Sequence, residues 1–187
     1  MIRALIAAAA AVLLGGEALA ASFTLGESEQ QAAIRAGERS TTAEAFDREW
    51  RVSSGGESVT VLTPFHRLVV AARHAAFKNE TVKPAEVSRV LKQDAARLVV
   101  WVQVRGKRED FARHFAPRLV AGTREVKPVF VQNERTAMRQ EDGVYVARCV
   151  YGFPLRDLTG RDRLTLRVAD GDGRDVSRFT IDLSTMR

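Results

Sequence analysis

Two hydrophobic periods meet near residue 63, and most of the chain can be read outward from that junction. Val59 and Val61 alternate with polar neighbours, which predicts a strand over 58–62. Thr63 and Pro64 then open an amphipathic helix predicted over 64–78. The Thr63 hydroxyl can accept from a first-turn amide, and Pro64 at the first helical position loses no needed donor. Helical spacing turns Phe65, Leu68, Val69, Ala72, Ala75 and Ala76 inward and leaves His66, Arg67, Arg73, His74 and Lys78 on the open side. Pro84 restarts a helix carrying the stripe Val87, Val90 and Leu91, and so short a link implies an antiparallel helical hairpin.

From Arg97 the period is two. Leu98, Val100, Val102 and Val104 point one way, Val99 and Trp101 the other, which predicts a central strand covered on both faces. Residues 106–117 form a charged insertion in which Phe111 and Phe115 stand four apart, as in a turn or two of helix. Further strands are predicted over 126–133, 143–153, 163–169 and 176–183, the last two pairing as a hairpin over 170–175. The fold class is therefore α+β: an antiparallel β-sandwich in the C-terminal half, with a helical N-terminal portion. Its strand rhythm is immunoglobulin-like, without the Cys, Trp, Cys signature.

Ahead of the junction the pattern is weaker. A short helix over 27–38 offers Ile34 for docking and ends near Gly37, while 43–52 sets Phe46 and Trp50 on one helical face as anchors to the core. Residues 53–56, Ser-Ser-Gly-Gly, read as a break. The first twenty residues carry Arg3, an apolar run over 4–14, Gly15-Gly16 and then Ala18-Leu19-Ala20, the pattern of a secretory signal cleaved near Ala20. The apolar run falls short of the roughly twenty residues a bilayer span needs, so no membrane span is expected. No cysteine follows the run to take a lipid. The expected organisation is a signal peptide over 1–20, a helical arm over 21–56 and a single α+β domain over 57–187. Within that domain 57–94 holds the strand and helical hairpin and 95–187 the sandwich. The expected location is periplasmic or secreted.

Composition narrows the chemistry. With 187 residues, 45% of them hydrophobic, the chain can build a core without a disulfide or a structural metal. Cys149 is the only cysteine, so no internal disulfide can form, and its apolar strand neighbours mark it as a buried small hydrophobe. The formal charge is +6. Its densest cluster, Arg105, Lys107, Arg108, Arg113, His114 and Arg118, has no nucleic-acid motif beside it and reads as a solvated loop.

Asp170-Gly171-Asp172-Gly173-Arg174-Asp175 is the best candidate ion loop. It departs from the EF-hand spacing, Arg174 opposes a cation, and Asp-Gly pairs serve a hairpin turn. His66 and His74 lie about 12 Å apart along a helix, too far for one zinc ion, and His114 sits in the charged insertion. The pairs Glu109-Asp110 and Glu141-Asp142 read as solvated loop ends. Nucleophile and phosphate-binding motifs are absent. No catalytic, cofactor-binding or metal residue is assigned, and the chain is not read as an enzyme. The leading expectation is an exported, non-enzymatic envelope or secreted module that presents a protein-binding surface. The alternative is a carrier of a small apolar ligand or lipid, with a cavity between helices and sheet. An enzyme with a composite site is the third reading.

The segments AIRAG near the start of the exported portion, TPF at the helix entrance and FTIDLS at the end resemble those of uncharacterised exported bacterial proteins. The resemblance spans most of the chain after the signal and implies export, with no activity attached to it.

Overall fold

The junction at Thr63 forms as its local chemistry dictates. In a computed structural model describing residues 20–44 and 46–187, strand β2 (Glu57–Leu62) runs into helix α2 (Pro64–Phe77). The Thr63 hydroxyl accepts from the His66 amide at 3.1 Å and donates to the Arg187 carbonyl at 2.5 Å. Helix α1 (Glu27–Arg39) precedes the junction and α3 (Pro84–Lys92) follows it. The body of the expected signal, residues 1–19, lies outside the described residues.

Among the described residues ten strands make two antiparallel sheets. The first has the order β1 (Arg51–Ser54), β2, β3 (Arg97–Gly106), β8 (Tyr145–Pro154), β6 (Phe130–Gln132), with β7 (Met138–Arg139) also on β8. The second has the order β10 (Asp175–Asp182), β9 (Arg163–Ala169), β4 (Ala116–Ala121), β5 (Arg124–Val126). The fold is thus α+β, with the three α-helices of the described residues before most of the strands. Val59, Val61, Val100, Val102 and Tyr151 from the first sheet share one buried cluster with Leu119, Leu164, Leu166, Phe179 and Ile181 from the second. Each such side chain contributes about 1.5–3 kcal/mol when fully buried.

Several elements depart from their local pattern. Residues 43–52 form no helix: Arg48–Trp50 is a single 3₁₀ turn, and Val52 lies in β1. The glycines of 53–56 turn that strand back as a hairpin, Gly55 (φ 59°) and Gly56 (φ 81°) both taking the left-handed conformation a tight hairpin needs. Residues 107–114 are turns, with Phe111 and Phe115 in edge contact at 5.6 Å. Strand β4 follows directly. Its period was masked by Pro117, which is tolerated because β5 covers only Leu119–Ala121 and leaves Pro117 without a neighbour on that side. The strand expected over 126–133 is two strands in different sheets, parted at Lys127-Pro128-Val129.

Helix α2 packs chiefly against α1, with α3 a lesser neighbour. The cause is Gly37, where a Cβ would stand 2.6 Å from the Ala72 Cβ, so the two backbones meet almost directly. Ala75 and Ala76 are accordingly only half-buried. Strand β3 is covered on its outward face only at one end: Val99 is buried under the helices, whereas Trp101 is 51% exposed. Among the described residues no helix is long and apolar enough to cross a membrane.

Candidate functional site

The outward face of the first sheet carries a cleft of about 450 Å³, walled by α2, α3 and the link between α3 and β3. Register determines its floor. Val99 and Trp101 on β3, Val150 on β8, and Phe130 and Gln132 on β6 all project to the side opposite the shared core. Leu62, Val70, Ala71 and Val90 form the apolar wall. A second hollow of about 440 Å³, bordered by Arg51, Thr60, Gln103 and Arg148, lies across Trp101 and Val150, which line both. Trp101 therefore stands between the two hollows.

A charged brace holds the cleft's wall to its floor. Asp94, at φ 59° in the α3–β3 link, pairs with Arg67 of α2 at 3.4 Å and with Arg97 at the start of β3. Arg67 also donates to the Gln93 carbonyl. Burial presses the Arg67 pKa downward, with Asp94 opposing that shift. The Arg97 guanidinium lies 5.0 Å over the Phe130 ring. Gly152, paired between Val99 and Phe130, leaves room for that stack, since a Cβ there would stand 3.1 Å from Arg97 Cδ. Around the cleft Arg67, Arg89 and Arg97 face Glu86 and Asp94, an excess of one positive charge.

His66 was expected on the open side of α2, and the structure overturns that: it is 3% exposed. Its position in the first turn leans the ring back toward the helix start, where Trp50 and Val61 receive it. A carbonyl can only accept, so the 3.1 Å contact to Val61 requires Nδ1–H to donate. Nε2 then carries a lone pair with no hydrogen-bond partner. Desolvation lowers the pKa to about 4, against an opposing pull from the Val61 bond. His66 is a neutral imidazole at the root of the cleft.

The other titratable candidates are not gathered there. His74 lines the cleft from an exposed position on α2, while His114 borders a separate hollow beside the 170–175 loop. In that loop the Asp170 carboxylate accepts from the amides of Asp172 (3.0 Å) and Arg174 (2.9 Å) and from Arg174 Nε (3.1 Å), so its oxygens serve the turn. Those bonds hold Asp170 below the usual carboxylate range. Asp142 accepts from the Val144 amide and pairs with Arg105, and Asp110 pairs with Arg108 at 3.6 Å. Cys149 is buried on the core face, where desolvation pushes its thiol pKa up. Among the described residues no group of three or more His, Cys, Asp or Glu side chains is placed to hold a metal ion.

What the cleft offers chemically is an apolar floor with an aromatic centre and a basic edge. Its signal in the sequence was the outward pair Val99 and Trp101. Asp94 and Gly152 carried no pattern, because their roles depend on partners from other elements. Neither the family models nor the curated proteins give a match to this chain.

Proposed function

We propose that this chain is an exported bacterial protein without catalytic activity, and that it carries a small amphipathic ligand in the cleft between its helices and its first sheet. The observation behind this reading is the cleft itself. At about 450 Å³ it has the size of small-molecule sites, an exposed indole on its floor, and Arg97 and Arg67 at one side. An apolar body would lie along Val99, Trp101 and Val150, with a negatively charged end toward Arg97. The two sheets are read with it as a sandwich, supported by their common core. The immunoglobulin likeness remains one of strand rhythm.

A second reading, a surface for another protein, is favoured by one observation. Val129 (62% exposed), Val131 (45%) and Met138 (64%) extend the apolar character onto the β6 and β7 margin of the same sheet. Native mass spectrometry of protein purified from its own host separates the two. A small adduct that is lost with Trp101→Ala supports the carrier. A second polypeptide supports the surface reading and overturns the carrier.

A further inference from the structure

The nitrogen of Ala21 is placed as a new chain start would be. It lies 2.9 Å from the Leu183 carbonyl and 3.2 Å from the Gly160 carbonyl, and Ala21 is 5% exposed. An amide nitrogen has one hydrogen, so two acceptors must share it; an ammonium has three and can give each carbonyl its own charge-assisted donor. The receptor is built for close approach. A Cβ on Gly160 would overlap the Ala21 carbonyl oxygen, so only glycine fits there. The loop bearing Gly160 is braced by the Asp162 carboxylate, which accepts from the Thr159 amide and hydroxyl at 2.8 Å each. Leu183 is tied to the same loop by its amide, which donates to the Asp162 carbonyl at 3.0 Å. Phe23 and Leu25 pack against the core and hold the segment in place.

We propose that the Gly160 and Leu183 carbonyls form a docking site for the α-ammonium released by cleavage between Ala20 and Ala21. The proposal rests on the export reading and is independent of what the cleft binds. Cleavage is a hydrolysis by a signal peptidase: water adds its hydroxyl to the Ala20 carbonyl carbon, the C–N bond breaks, and the Ala21 nitrogen takes the hydrogen and then a proton from solvent. Here Ala21 is docked while still joined to Ala20, its one hydrogen shared between two carbonyls, and cleavage would supply the further hydrogens that let each carbonyl have its own.

The test has two arms. The full chain is expressed with its leader, and the intact mass of the exported protein is measured. Separately, Tm is compared for purified chains beginning at Ala21 and at Ala20. The expected result is an exported chain starting at Ala21, and a Tm lower by about 3–6 °C in the chain extended by one residue. An exported chain that keeps its leader or starts elsewhere overturns both the export site and the docking. A start at Ala21 with equal Tm values overturns the docking alone.

Discussion

The His66 imidazole lies flat on the Trp50 indole, with centroids 4.4 Å apart and planes 10° from parallel. The stack joins α2 to the segment before β1, and Trp50 Nε1 in turn donates to the Arg187 carbonyl at 2.8 Å. An ionisable ring is thereby held in an apolar setting with one nitrogen bonded and the other without a partner.

Acid should destabilise the protein through His66. Its pKa falls from 6.5 to about 4 on folding, so between those values the unfolded chain binds the extra proton. Stability from this group is complete above about pH 6.5 and declines as pH drops toward 4, by about 3 kcal/mol in all. Urea unfolding from pH 7 to pH 4 measures the decline. His66→Phe should flatten it across that window, and an unchanged slope in the variant would contradict the assignment.

Gly37→Ala should destabilise the helical layer. The added methyl meets the Ala72 side chain and the α2 backbone, neither of which can swing aside, for a cost of about 1–3 kcal/mol. A lower denaturation midpoint with an unchanged slope is the expected outcome.

Asp94→Asn should loosen the cleft. Arg67 and Arg97 would then face each other without the carboxylate between them, and Arg67 is only 12% exposed in its side chain. A loss of about 2 kcal/mol is expected, moderated by solvent at Arg97. Ligand retention in the native mass spectrum should fall with it.

Trp101→Phe should leave stability within about 1 kcal/mol while removing most acrylamide quenching of tryptophan fluorescence. Trp50, 2% exposed, is the remaining fluorophore and should be poorly quenched. In the intact protein a bound ligand should protect Trp101 from acrylamide, and no protection at saturating ligand would count against the cleft.

Local sequence determined those elements whose side-chain period and end signals agree. Thr63-Pro64 capped α2, Pro84 opened α3, and the alternation of Leu164 and Leu166 against Phe179 and Ile181 reappears as the paired core face of β9 and β10, with Leu183 buried in the turn just after β10. Tertiary structure decided the rest, because the deciding partners are distant in the chain. Gly37 matters through Ala72, and Gly152 through Arg97 and Phe130. His66 had the spacing of an exposed residue; the Trp50 indole and the Val61 carbonyl buried it, and a helical period records only which way a side chain faces, not what waits there.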